Sequence, residues 1–310
     1  MTKMTRNSKI KQSKKRYRWT KITGLILLAL LLGIGAYVYN IYSNAKEAVN
    51  NRMNSNISSI DSEETKKKLA ANEKINILLL GIDRRENDKG RSDAMIVLTL
   101  DPKNDKMQLI SIPRDTHTYI VGKNIEDKIN HAYAFGGSDM SVATVENMLD
   151  IDIDGFVEIN MEGLSDLVDS VGGITVYNNT DWYDENGFHY SEGELHLNGK
   201  QALGYVRMRK LDSDFARTER QREVIQAIIK KGTNFANITK INEIINVLGN
   251  NVKTNITFNE MQNLVSNYSN VLKNTESYMV QGEGKMVDKT WYYFVSEEEL
   301  EKVNEMIVNN

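Results

Sequence analysis

Cysteine is absent from the 310 residues, and proline occurs only twice. No disulfide framework, thiolate zinc site or cysteine nucleophile is therefore available. Histidine is scarce as well: His117, His131, His189 and His196 show no metal-ligand spacing. The G-x-S-x-G, H-E-x-x-H and Walker A patterns are missing, as are internal repeats and low-complexity segments. With 40% apolar and 26% charged residues the composition is that of a folded chain, which excludes a disordered or collagen-like protein. The lack of cysteine does not by itself place the chain on either side of a membrane.

Acidic residues are missing from the first 21 positions, which hold nine basic ones (Lys3, Arg6, Lys9, Lys11, Lys14, Lys15, Arg16, Arg18 and Lys21). From Ile22 to Ala45 no charge of either sign occurs. The formal net charge of -3 therefore hides an asymmetry. Of the 39 basic residues 30 follow Lys21, against all 42 acidic ones, a net of -12 for the remainder. A basic flank followed by an uncharged apolar run is the pattern of a transmembrane helix. The run would be roughly 36 Å long as a helix, enough for a hydrocarbon core of about 30 Å. Trp19, Tyr37, Tyr39 and Tyr42 suit interfacial belts near its ends. A cleaved signal peptide would need a shorter apolar region, and a buried core helix would show a polar face.

The expected organisation is a cytoplasmic basic tail (1–21), a signal-anchor helix (22–42), a membrane-proximal polar stalk (43–74) and an extracytoplasmic domain (75–310). The positive-inside rule makes this a single-pass type II protein of the cell membrane. A domain of net charge -12 lacks the basic footprint of a nucleic-acid binder, and topogenesis accounts for the N-terminal basic residues.

Strand-like runs cover 75–83, 93–101 and 106–115, the last two joined by the turn residues 102–105. ILLL is apolar on both faces, which predicts a central strand covered on two sides. Helices are expected at 141–149, 161–171, from 199, at 217–231, 239–248 and 259–272, and from Ser296. Further strands are expected at 154–160, 174–178, 277–281 and 291–295. This interleaving predicts one α/β domain. LDIDIDGFVEINM places Asp150, Asp152, Asp154 and Gly155 as in an EF-hand loop, but Met161 stands where a bidentate Glu is required, so calcium binding is rejected.

The distinctive feature is arginine beside aspartate at strand ends: GIDRR (81–85), GRSD (90–93) and IPRD (112–115). GYVRMRKLDSDFARTERQR (204–222) adds Arg207, Arg209, Arg217, Arg220 and Arg222. If 206–209 is extended, Arg207 and Arg209 point the same way, while Arg217 and Gln221 share a helix face. Converging guanidinium groups suit a diphosphate, and the carboxylates of Asp83 and Asp93 suit Mg²⁺ or Mn²⁺ shared with phosphate oxygens. The alternative for any one arginine is a solvated surface ion pair. Apolar stretches at 224–231 and 241–248 would wall a lipid pocket or simply pack in the core.

Together NILLLGIDRR, GRSDAMIVLTLDP, LISIPRDT, KINHAYAFGG, LVDSVGGI, GKQALGYVRMR and DFARTERQ, in that order over 76–221, resemble the LytR-CpsA-Psr family of Gram-positive cell-wall enzymes. The resemblance implies a central mixed sheet flanked by helices, with a long hydrophobic pocket for a polyprenyl chain. It also implies Mg²⁺-assisted transfer of an anionic glycopolymer, such as wall teichoic acid, from a polyprenyl-diphosphate carrier to peptidoglycan. Asp83 and Asp93 match the metal-associated acids. Arg91, Arg114, Arg207, Arg209 and Arg217 match the phosphate-binding arginines, and Gln221 the polar residue after them. Arg114, Asp93, Arg207 and Arg209 are the expected catalytic group. Ala216 departs from the glycine that the family often has before Arg217. Asp93 and Asp115 are both candidates for the proton acceptor, and Asp115 alternatively orients Arg114. Competing readings are a membrane-anchored regulator that only binds lipid-linked intermediates, and a polyprenyl-diphosphate hydrolase.

Overall fold

The computed structural model describes residues 36–37, 39–83, 90–208, 214–232, 249 and 251–309. The chain divides into two units, Met1–Lys46 and Glu47–Asn310. In the first, the described residues are helical. Residues 22–35 of the expected span lie outside the described residues, and among those described no helix is long and apolar enough to cross a membrane. The expected helix at 239–248 also lies outside them.

The second unit runs from a π-helical turn (Ala48–Met53) through α1 (Ser62–Ala70), β1 (Ile75–Asp83), β2 (Arg91–Asp101), β3 (Lys106–Ser111), β4 (His117–Ile120), β5 (Ile125–Lys128) and α2 (His131–Leu149). There follow β6 (Gly155–Asn160), α3 (Met161–Ser170), β7 (Ile174–Asn178), β8 (Trp182–Tyr183), β9 (His189–Tyr190), β10 (Gly193–Leu197), α4 (Gly199–Arg207) and α5 (Asp214–Gly232). The chain closes with β11 (Val252–Thr254), α6 (Phe258–Asn267), a 3-10 turn (Ser269–Lys273), β12 (Asn274–Met279), β13 (Glu283–Val287), β14 (Thr290–Phe294) and α7 (Glu297–Val308).

Six strands form a mixed sheet in the order β11-β6-β1-β2-β3-β12. β1–β2–β3 is an antiparallel meander, and β6 and β12 join its two sides in parallel. The predicted hairpin between β2 and β3 is present, with Asp105 in the left-handed region at φ 50°. Alternation along the strands sends one set of side chains to each face. Leu78, Leu80, Ile82, Met95, Val97 and Ile110 pack under Val142, Val145 and Leu149 of α2 and Val303 and Ile307 of α7. Ile75, Ile77, Ile96, Leu98, Met107 and Leu109 face Ile225 and Ile229 of α5 and Met261 and Leu264 of α6. Burial on both faces is the reason the strand sequence shows no polar alternation. A second apolar cluster holds β7, β10, α3 and α4 together, with the Trp182 and Tyr190 rings stacked at 3.9 Å.

Residues 47–74 are not the free stalk that their polarity suggested. Met53, Ile60 and Leu69 are buried in three different apolar clusters, so a few well-spaced apolar side chains dock a largely polar segment. The Asp139 carboxylate accepts hydrogen bonds from Ser59 N–H (2.9 Å) and Ser58 Oγ–H (2.7 Å) and clamps it further. Partial burial acts to raise the Asp139 carboxyl, but the serine hydrogen bonds outweigh it and hold the group below the ordinary range. Its stabilising effect is therefore complete above the unfolded-chain value of about 4 and is lost as pH falls through the lower folded value. Asp139→Ala should cost about 1 kcal/mol at pH 7, allowing for solvent screening. Denaturant midpoints of the two proteins should converge in acid.

The aspartates of the EF-hand-like stretch serve the fold. Asp154 is buried and accepts from Asn76 N–H at 2.8 Å and Lys68 Nζ at 2.7 Å. Burial pushes its carboxyl above the usual range. Asp150 caps α2 in the left-handed conformation.

Candidate active site

β1, β3 and β12 run in the same direction and end on one side of the sheet, where open α/β sheets place their ligands. Asp83 is the last residue of β1. β3 ends at Ser111, and Pro113, which has no N–H to give a ladder, starts a turn closed by Thr116 N–H and Thr116 Oγ–H on the Pro113 carbonyl. That turn presents Arg114 and Asp115.

Asp93 reaches the same place through an irregularity in β2. Gly81 pairs with Ala94 and Ile82 with Ser92, so Asp93 is an extra residue in the ladder. A bulge of this kind re-aims a side chain without breaking the strand. Arg114 Nη1 donates to Asp93 Oδ1 at 2.8 Å, and its Nε lies 3.5 Å from Asp115 Oδ2. Lys128 Nζ, from the end of β5, sits 2.7 Å from Asp115 Oδ1. Asp115 is thus held between two cations, a geometry that suits orienting Arg114. Next to Lys128, burial acts to raise the Asp127 carboxyl, but hydrogen bonds from His131 and the Lys128 N–H hold it below the ordinary range.

A cleft of about 320 Å³ opens over these groups, and Asp93, Arg114, Asp115 and Arg217 line it together. Arg217 comes from the first turns of α5 and is 4% exposed, so its charge is presented from a largely desolvated position. Gln221 follows one turn later on the same helix and is also buried. Arg207, the last residue of α4, places Nη2 3.8 Å from Asp83 Oδ1. Arg91 opens β2 opposite Asp83 in the register and is exposed.

The expected residues therefore fall into two neighbouring groups. Asp93, Arg114 and Arg217 share the cleft, while Asp83, Arg91 and Arg207 meet at the end of the β1–β2 pair. Arg209 lies outside the described residues. The condition of an extended 206–209 is not met at Val206 and Arg207: α4 continues through Arg207, because the capping box of Asn198 and Gln201 and the apolar face of Ala202, Tyr205 and Val206 carry the helix to that point. Arg220 is not a ligand-facing group either. Its Nε donates to the Tyr205 carbonyl at 3.0 Å and its Nη2 to the Met208 carbonyl at 2.9 Å, inside the protein. Arg222 lies 3.8 Å from Glu219 on the same helix. Of the apolar stretch 224–231, Val224 packs with the α4 cluster and Ile225 and Ile229 with the sheet.

Sequence reasoning missed Lys128 and the far wall of the cleft, which comes from the β13–β14 hairpin: Gly282, Gly284, Trp291 and Tyr293. WYYFV announces a strand but carries no sign of what that strand faces. Among the described residues no group of three or more His, Asp or Glu side chains is placed to hold a metal ion. Asp83 and Asp93 offer hard carboxylate oxygens at one end of a strand pair, and this donor set fits a cation that takes its remaining ligands from phosphate and water.

The LytR_cpsA_psr family model matches residues 36–308. Over 281 residues the chain is 46% identical to the polyisoprenyl-teichoic acid--peptidoglycan teichoic acid transferase TagU of Bacillus anthracis, a match covering 87% of this chain and 90% of the relative. The crystal structure of B. subtilis TagU superposes with a TM-score of 0.64 at 41% identity, covering 76% of this chain and 96% of that one. A structure of TagT bound to LIIa-WTA gives a TM-score of 0.68 at 33% identity, with 76% and 90% covered.

Proposed function

The chain belongs to the LytR-CpsA-Psr family, and from that premise we propose that it transfers an anionic glycopolymer from a polyprenyl-diphosphate carrier to peptidoglycan outside the cell. The observation that carries the reading is the cleft itself. Arg114 and Arg217, far apart in sequence, converge there beside Asp93 and Asp115. The relatives' names support the substrate class: teichoic acid as the cargo and peptidoglycan as the acceptor.

The reaction asks the protein for positioning and charge neutralisation and needs no covalent nucleophile. An acceptor hydroxyl oxygen attacks the phosphorus that bears the polymer. The bond from that phosphorus to the bridging oxygen breaks, and polyprenyl phosphate leaves with the electron pair. Arg114 and Arg217 neutralise charge on the equatorial oxygens, with Arg207 and Arg91 at the adjoining edge and Arg209 assigned with them by resemblance. We assign the hydroxyl proton to Asp93, which meets Arg114 through Oδ1, over Asp115, both of whose carboxylate oxygens face a cation. Mg²⁺ or Mn²⁺ held by Asp83 and Asp93 would supply Lewis-acid stabilisation of the diphosphate. The N-terminal segment would anchor the protein in the cytoplasmic membrane with this domain outside.

Reconstituted full-length protein given lipid-linked polymer should attach it covalently to peptidoglycan. Release of polymer into water without attachment would support a hydrolase, and binding with no turnover a regulator. Asp83→Asn should raise the divalent-cation concentration for half-maximal transfer by roughly tenfold, about 1.4 kcal/mol of lost ligand energy. A uniform loss of rate with unchanged cation dependence would assign Asp83 to Arg207 alone.

A further inference from the structure

The part of the cleft lining that comes from the β13–β14 hairpin is built for something other than a phosphate. In the β13–β14 hairpin Gly284 pairs with Tyr293 and Met286 with Trp291, so these four residues share one face. Gly284, Trp291 and Tyr293 line the cleft, and Gly282 continues the same row. The indole lies directly against Gly284: a Cβ at that position would overlap its Cζ2 and Cη2 atoms. Trp291 is nevertheless 49% exposed. The ring is thus seated on a glycine and still keeps about half of its surface accessible at the cleft.

The opposite face of the hairpin fixes this arrangement. Tyr292 and Phe294 pack against the His117 ring at centroid distances of 5.0 and 4.8 Å. Tyr293 N–H donates to the Asp115 carbonyl at 2.9 Å. Asp115 thus orients Arg114 with its side chain and holds the hairpin with its backbone. The aromatic plane is therefore set in place relative to the phosphate-binding groups.

We propose that Trp291, supported by Gly284, is a saccharide-stacking platform, on which a pyranose ring lies with its C–H face against the indole. The geometry favours a sugar over the polyprenyl chain. An isoprenoid needs an enclosed apolar groove, whereas this ring is half exposed at the edge of a charged cleft. The negative π face attracts the polarised C–H groups of a sugar, and the sugar hydroxyls stay in water. The proposal rests on the transfer reaction above, in which both reactants carry sugars: the polymer's unit next to the diphosphate, and the acceptor glycan strand.

Steady-state transfer by the full-length protein, with donor and acceptor varied separately, tests it. Trp291→Ala should raise one KM by about three- to tenfold, the range of an aromatic stacking contact. Trp291→Phe should restore most of it, and Gly284→Ala should reproduce the loss by displacing an intact indole. A raised donor KM assigns the platform to the polymer's sugar, and a raised acceptor KM to the glycan strand. Unchanged KM values for both substrates in all three variants overturn the platform while leaving the transferase reading intact. If the wild type transfers nothing, the binding arm still decides. Soluble lipid-free glycan should quench indole emission in a Trp182→Phe background and fail to do so once Trp291 is also replaced. Equal responses with and without Trp291 overturn the proposal.

Discussion

Arg114→Ala should lower kcat/KM for glycopolymer transfer by about a thousandfold, the scale of removing a preorganised charge from a phosphoryl-transfer site. Arg114 is the only side chain that touches both Asp93 and Asp115 among the contacts described at the cleft, and it supplies a planar fork at a fixed position. Arg114→Lys keeps the charge but not the paired donors, so it should recover only a small part of the loss. The fold should survive either change. Lys128 still neutralises Asp115 at 2.7 Å, and Arg114 lies in the turn after β3 and not in the sheet itself. The check is a single-turnover assay with lipid-linked glycan beside a thermal melt. Near-normal turnover by Arg114→Ala would remove this arginine from the mechanism, and with it the reading of the cleft as a diphosphate site.

Arg220→Met should show the reverse profile: a large loss of stability, with activity falling as a consequence. The residue is 6% exposed, and its guanidinium donates to two main-chain carbonyls, Tyr205 and Met208, at the end of α4. Removing it strands both carbonyls and loosens the turn that follows Arg207. Hydrogen bonds from a charged donor are worth about 1.5–3 kcal/mol each, so a net cost of about 3 kcal/mol is expected. For a domain of this size that lowers the melting temperature by roughly 10 °C. Arg222→Ala, two residues along the same helix, removes a 3.8 Å ion pair to an exposed Glu219 together with some side-chain packing and should cost about 1 kcal/mol, well under the Arg220 loss. Equal melting temperatures for the two variants would show that the Arg220 carbonyl contacts do not hold α4.

The contrast between these arginines marks where the sequence is legible and where it is not. The strand runs at 75–83, 93–101 and 106–115 and the two-sided covering of ILLL follow from local apolar pattern, and the sheet has them, with the third run ending at Ser111 before Pro113. The cluster of arginines in 204–222 is equally visible, but its division is not. Arg217 faces the cleft and Arg220 faces two carbonyls because α5 packs at one particular rotation against the sheet and α4, and that rotation is a tertiary property. The docking of 47–74 was hidden for a related reason: Met53, Ile60 and Leu69 are too widely spaced to show a helical period, and each finds a different cluster. Trp291 is separated from Arg114 by most of the domain, and tertiary contacts such as the His117 packing, the Asp115 carbonyl and the Lys128–Tyr292 approach bring the hairpin over the cleft.

The extra residue in β2 separates two kinds of information carried by one strand. Every other position between Arg91 and Ala94 has a partner in β1 and helps to set the alignment of the sheet; residue 93 has none. Omitting it would leave Ser92 opposite Ile82 and Ala94 opposite Gly81, an unbroken ladder with its inward and outward sides preserved. The ladder is therefore indifferent to the presence of this acid, which serves instead its bond to Arg114 and the transfer proposed above. A lineage relieved of the reaction could lose the residue in one step without loss of foldability, whereas a one-residue change anywhere else in the strand would turn its whole apolar set to the wrong face.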